Sequence, residues 1–390
     1  LYNPGNMAIH PEFLVYHHTD TTSLLFLKLF TPELLFKRYK DETDAISKIK
    51  IHFRLLNSLS DQKFVDSSSI VLSLYRNKVS KEYIHQIPFK ALEGGKYQMD
   101  IYIHDLQRNK YSQNFIEINK TSINSRQNFL IKEKKFGKPV FRNYLNSETD
   151  YMIECIRQNP KTFYVKYSDK EFPPAPPPFA KRYEQQVTFK TDSIIVLKPQ
   201  EENSIQFNDT GFYLIQTDTT RQNGRLVMHF YNAFPKVNKP PQLLKPLQYL
   251  NSSDEFQKLR SYSNPKIAVD SFWLSCAGNI DRAKEMIRVF YNRLQLSNYY
   301  FTSHKQGWKT DRGMIYSVFG APRVVYRSDH DEVWTYGERS NLVSYEFTFV
   351  KMDTLFSINN YVLDRSEVYS KSWFRAVDAW RSGIVYSVND

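Results

Sequence analysis

Cysteine and glycine are scarce in this sequence, and long apolar runs are missing altogether. The two cysteines among 390 residues, Cys155 and Cys276, offer no CxxC pair, no metal-ligand spacing and no disulfide framework. Both lie in apolar settings, YMIECIRQ and FWLSCAGN, where a buried thiol is the common outcome, and their pairing is left open. The densest apolar stretch, SLLFLKLF at Ser23 to Phe30, falls well short of the roughly 18 residues that cross a bilayer as a helix. GxSxG and HExxH do not occur, so the nucleophile-elbow and zinc-peptidase signatures are missing. Gly307, Gly313 and Gly320 fit neither GxxxxGK[ST] nor GxGxxG, which removes the familiar phosphate cradles. His17 and His18 are adjacent on a strand and face opposite ways, so they cannot chelate one metal. Asp329, His330, Asp331 and Glu332 gather in RSDHDEVW, which reads as a polar turn before a strand rather than a calcium or zinc site. From these absences we expect no catalytic, cofactor-binding or metal-binding residues, and a chain that is not an enzyme.

What is abundant points elsewhere. Aromatic residues make up 15% of the chain, with 27 Tyr and 28 Phe against 12 Gly, a composition suited to pleated, half-buried sheets. The net charge of +12 favours anionic partners. Its lysines and arginines are scattered, however, and no helix-turn-helix, zinc-finger or RNP signature accompanies them, so no nucleic-acid partner is expected.

The first part of the chain alternates with period two. KIKIHFRL puts Ile49, Ile51, Phe53 and Leu55 on one face, and YQMDIYIHD does the same with Tyr97, Met99, Ile101 and Ile103. Further strands are expected at Phe13–His17, Leu24–Phe30, Ile70–Tyr75 and Phe115–Ile118, together an antiparallel β-sandwich. A second β-rich region has candidates at Asn128–Lys132, Phe163–Tyr167, Val187–Lys190, Phe212–Thr217 and Leu226–Phe230. Inside it, EFPPAPPPFA carries five prolines, Pro173 to Pro178, and reads as an extended connection that blocks further strand pairing. Phe234 to Pro246 reads as a linker.

Helical spacing begins after that linker. Asp254 to Ser261 suggests a short helix. Asn264, Pro265 and Gly278 supply cap, first-turn proline and stop for a second. Asn279 opens a third, with Ala283, Met286, Ile287, Phe290 and Leu294 as its apolar stripe. EVWTYGE and SYEFTFVK read as strands, and SWFRAVDAWRSG as a helix with Phe374, Val377 and Trp380 inward. The expected fold is therefore mainly β with a C-terminal α+β part. Its divisions are two antiparallel, Ig-like sandwiches over 1–124 and 125–238, then a helical hairpin and α+β domain over 239–390.

The stretch HKQGWKTDRGMIYSVFGAP parses as loop, short capped helix and stop. Thr310 or Asp311 caps, Asp311 complements the helix dipole, Gly320 is placed as a left-handed terminator and Pro322 prevents continuation. Trp308 would anchor the turn against its helix, and Arg312 is expected to pair with a carboxylate such as Glu332 or to face a partner.

RAKEMIRVFYNR (Arg282–Arg293), GWKTDRGMIYSVFGAP (Gly307–Pro322) and EVWTY (Glu332–Tyr336) together resemble the GWxTD-domain family of bacterial envelope proteins, over about 265–385. Gly307, Trp308, Thr310 and Asp311 are the motif's named positions, and Arg312-Gly313 continue it. Gly320, Pro322, Trp334 and Tyr336 are also similar to the small SmpA/OmlA-type lipoproteins of outer-membrane protein assembly. The first resemblance extends to Bacteroidota members that are outer-membrane lipoproteins, and it carries no catalytic residues. It implies a periplasm-facing protein with a lipid anchor upstream of Leu1, acting with other envelope proteins in a hetero-oligomeric complex for protein secretion, type IX-like, or for outer-membrane protein assembly. Two other readings stay open: a hydrolase or polysaccharide-processing envelope enzyme, and a basic module on anionic lipid or glycan surfaces.

Overall fold

The computed structural model describes residues 9–40, 43–58, 61–181, 189–198, 204–328, 330–337, 344–352, 357 and 359–387. The expected strand Val187–Lys190 begins outside these residues, and Asp329 lies outside them. The chain forms two compact units, one of Asn3–Ser168 with Thr191–His229, the other of Asp169–Lys190 with Phe230–Asp390.

The first unit begins with seven strands: β1 (Glu12–His17), β2 (Thr22–Phe30), β3 (Ile46–Leu56), β4 (Asp66–Tyr75), β5 (Glu82–Lys90), β6 (Lys96–Asp105) and β7 (Lys110–Asn119). They make two antiparallel sheets, ordered β1-β2-β5 and β4-β3-β6-β7. The period-two residues close the sandwich. Ile51 stands opposite Ile103 and Phe53 opposite Ile101, and this face packs on Leu25, Leu27, Ile87 and Phe89 of the other sheet. Sequence reasoning passed over β5, which holds Pro88. A proline is tolerated there because β5 pairs only with β2 and lies at a sheet edge.

A second layered core follows. β8 (Leu130–Glu133) and β9 (Tyr151–Glu154) form a hairpin. β10 (Phe163–Ser168), β11 (Ser193–Leu197), β12 (Gly211–Gln216) and β13 (Arg225–His229) form a sheet ordered β11-β10-β12-β13. Phe129, Ile131 and Ile153 pack on Val165, Phe207, Ile215 and Val227. This core adjoins the first sandwich through Leu14, Tyr16 and Phe26 against Leu130. The Ile156 N–H donates to Tyr16 Oη (2.8 Å), and the Arg157 guanidinium reaches both Asp20 and Glu93 at 3.0 Å. Cys155 and Cys276 are both free, and burial pushes the Cys155 thiol up to about 11.

The second unit departs from the expected linker. Pro240 and Pro241 start α1 (Pro240–Leu244), which runs into a 3₁₀ turn, Lys245–Leu250, with Pro246 and Leu247 buried. Prolines at a helix start forgo only N–H groups that the helix does not use, so a proline-rich stretch can fold as readily as it can link. α2 (Ser253–Arg260) opens on a Ser252–Glu255 capping box, α3 (Pro265–Ala277) on Asn264 and α4 (Ile280–Phe301) on Asn279. Then come α5 (Asp311–Phe319), the antiparallel sheet β14 (Val324–Arg327), β15 (Asp331–Tyr336), β16 (Tyr345–Lys351) and β17 (Tyr361–Leu363), and α6 (Tyr369–Arg381). The inward face of α6 is Trp373, Ala376, Val377 and Trp380; Phe374 is half exposed and stacks obliquely on Phe179. Among the described residues no helix is long and apolar enough to cross a membrane.

Candidate functional site

The turn before α5 is built by close approach of backbones. A Cβ on Gly307 would stand 1.9 Å from the Ser297 carbonyl oxygen of α4, and one on Gly313 would stand 1.8 Å from the Gly307 carbonyl oxygen. Backbone therefore rests on backbone twice in succession, and only glycine fits either position. Thr310 locks the contact: its hydroxyl donates to the Gly307 oxygen (2.7 Å) and accepts from the Gly313 N–H (3.0 Å), which also makes it the N-cap of α5. Polar side chains on the buried face of α4 hold the other side. The Gly307 N–H donates to Thr302 Oγ1 (3.1 Å) and the Trp308 N–H to Asn298 Oδ1 (3.2 Å). Ser317 Oγ donates to the Gly313 oxygen at 2.6 Å.

Asp311 and Arg312 are buried beside each other, yet each is bound to a different partner. The Asp311 carboxylate accepts from the Arg365 guanidinium and from the Leu363 N–H (3.2 Å), tying α5 to β17. Burial raises its pKa, and Arg365 and Lys305 pull against that rise. Arg312 donates to Glu332 Oε2 (3.2 Å) and to the Asn359 carbonyl (3.0 Å), and its guanidinium lies 4.0 Å from the Tyr361 ring centroid. Glu332 also accepts from Arg327 (2.5 Å) and from Trp334 Nε1 (3.2 Å). Burial alone would raise this carboxyl, but Arg327, Arg312 and the Trp334 N–H outweigh it and hold it at about 2. Asn359 in turn donates to the Tyr300 and Thr302 carbonyls, satisfying the open end of α4.

The far end of α5 is closed by donors as well. Gly320 has φ 84° and ψ −159°, a region essentially confined to glycine but not the left-handed helical one expected from the sequence. The chain must leave extended towards Pro322 and β14, which an αL residue would not allow. The Gly320 carbonyl accepts from Tyr336 Oη (2.9 Å), and the Val318 carbonyl from Trp380 Nε1 (2.9 Å) and Arg293 (3.1 Å). Arg293 faces carbonyls rather than a carboxylate, and burial draws its pKa down to about 10. Its place at a helix C-terminus offsets part of that cost.

The proline segment lies along this same turn. Prolines supply acceptors but no N–H, so the segment has to be held by donors from elsewhere. The second unit supplies them as cations. Arg365 donates to the Pro176 and Pro177 carbonyls (2.9 and 2.7 Å), Lys305 to Pro173 O (3.4 Å) and Lys309 to Phe172 O (3.4 Å). Ala175, the one residue between the prolines with an N–H, donates it to the Lys309 carbonyl (2.8 Å). Lys309 is buried and ion-paired with Glu171 at 2.5 Å; burial lowers its pKa and Glu171 opposes that. Burial brings Lys305 down to about 8.

The structure thus gathers Gly307, Trp308, Thr310, Asp311, Arg312 and Gly313 in one knot, with Trp334 in the core beneath it against Phe301 and Phe349. Gly320, Pro322 and Tyr336 lie at the other end of α5. Trp308 packs edge-to-face with Tyr249 (5.9 Å between centroids), whose hydroxyl donates to the Trp308 carbonyl (3.3 Å). Arg365, Asn359, Arg293, Asn298 and Thr302 escaped sequence reasoning. A signal for two of them exists: Asn298 and Thr302 continue the buried stripe of α4 beyond Leu294, and a polar residue on an apolar stripe asks for a partner. Around Glu332, the Asp331 carboxylate accepts from Ser328 Oγ (2.6 Å), the geometry of a closed polar turn. Among the described residues no three His, Cys, Asp or Glu side chains are grouped to hold a metal ion.

No curated protein matches the chain significantly. The family model of the GWxTD domain matches residues 211–382, starting earlier than the motif-bearing helices and taking in β12 and β13 of the first unit. The GWKTD turn, the helices beneath it and the β14–β17 sheet all lie inside that match, so residues 211–382 of the chain are similar to the GWxTD domain.

Proposed function

We propose that the protein is a non-catalytic, lipid-anchored subunit on the periplasmic side of the outer membrane, working through its surfaces in a multi-protein machine for protein secretion or outer-membrane protein assembly. One observation carries the reading. The charged residues of the GWxTD turn are already bound inside the fold, Asp311 by Arg365 and Leu363 and Arg312 by Glu332 and Asn359, so the motif builds a rigid platform. The likeness to envelope lipoproteins supports the location, and the antiparallel sheets supply broad binding faces. Purification of the native protein from membranes in mild detergent tests this. The protein should enter the membrane fraction and run as a complex with larger envelope proteins. Recovery as a water-soluble monomer without partners contradicts it.

A further inference from the structure

A cavity of about 470 Å³ opens beside the motif tryptophan, within the second unit. Its walls are the proline segment (Phe172, Pro173, Pro174), α1 (Pro241, Leu244), α2 (Phe256) and Pro265, and Trp308 also lines it. The volume falls in the range of about 300–1,000 Å³ in which proteins bury small ligands. Four of the lining residues are prolines, so these stretches of wall offer methylene surface and no N–H donors to water or to a polar ligand. Both proline walls are fixed beforehand, one by the Ala175 and Arg365 hydrogen bonds and the other as the first turn of α1. Such a pocket is formed before any ligand arrives, which reduces the ordering cost of binding.

Charge at the pocket is one-sided. Lys245, Arg260 and Lys309 line it together with a single carboxylate, Glu171, which is shared between Lys309 (2.5 Å) and Lys245 (3.5 Å). Arg260 and Lys245 are exposed, positioned to meet an anion at the solvent end of the pocket. We propose that this pocket binds an amphipathic monoanion, an apolar body of fatty-acyl type carrying one carboxylate, with the body against Trp308, Phe256 and the prolines and the carboxylate at Arg260 and Lys245. This inference stands apart from the envelope-complex reading, since it concerns a pocket in the isolated chain.

Decanoate, titrated into the full chain below its micellar concentration and followed by calorimetry, tests it. One saturable site is expected, weakened about fivefold in Arg260→Gln, as for a partly exposed charge pair. Gln248→Trp, which fills the mouth, should weaken it at least tenfold. Phe256→Glu, which sets a carboxylate against the ligand's body, serves as a second closing variant, and circular dichroism verifies the fold of each. Decanol, with the same body and no charge, should bind several-fold more weakly than decanoate. Absence of saturable binding, binding unaffected by both closing variants in folded protein, or decanol binding as tightly as decanoate overturns the proposal.

Discussion

A methyl group on Gly307 or Gly313 has less than 2 Å to the nearest carbonyl oxygen, and in both cases the obstacle is backbone rather than a side chain that could swing away. Gly307→Ala and Gly313→Ala should each cost about 3 kcal/mol or more, read as a lower urea midpoint with unchanged m-value. Two buried groups of the second unit contribute to the acid response. Glu332 is held at about 2 in the folded protein against an ordinary 4.5, so its stabilisation is present above pH 4.5 and is lost as pH falls from there towards 2. His304 packs edge-on to Phe172, its Nδ1 has no hydrogen-bond partner among the described residues, and burial lowers its pKa to about 3 from 6.5. It contributes at higher pH: stability drops as pH falls from 6.5 towards 3, because the unfolded state takes up the proton first. Urea melts at stepped pH should therefore show stability declining already between pH 6.5 and 4.5. His304→Phe should make that segment shallower without removing it, since burial also holds His17 down at about 4, whereas Glu332→Gln should lessen only the decline below pH 4.5.

At the scale of elements, the proline segment shows why an extended run without donors can still be ordered. Its carbonyls accept from Arg365, Lys305 and Lys309, and Ala175 carries the only backbone N–H between Pro173 and Pro178. Exchange at that single amide reports on the whole segment. Arg365→Gln removes two of its hydrogen bonds and the partner of Asp311, so the Ala175 amide should exchange about tenfold faster or more, with amides of β3 and β6 unchanged. Much of this architecture could be read from the residues. The alternation in β3 and β6, the caps Asn264, Asn279 and Thr310 and the stripe of α4 act locally, and local patterns survive in sequence. What could not be read depended on distant partners. The reach of Arg365 to both Asp311 and the prolines joins positions 54 and 188 or more residues apart. The edge position of β5 and the folded Pro240–Leu244 also depended on what lay next to them, which no local period records. The Arg312–Glu332 pair was legible only because one carboxylate stood conspicuously at the head of an aromatic strand.

For the molecule as a whole, the issue is whether the GWxTD turn reacts or supports. Its two buried ion pairs give opposite expectations under the two views. A scaffold pair is destabilised by about 3–5 kcal/mol when one partner is removed, because the other charge is left buried, and loses much less than the sum when both go. A reactive pair can lose one member with little loss of stability. The decisive measurement is a double-mutant cycle on the full chain, with Arg312→Met, Glu332→Gln and the double variant compared by urea unfolding. Scaffolding predicts large single losses and strong coupling, with the double variant no less stable than the worse single one. Wild-type stability in both single variants, with no coupling between them, would contradict it.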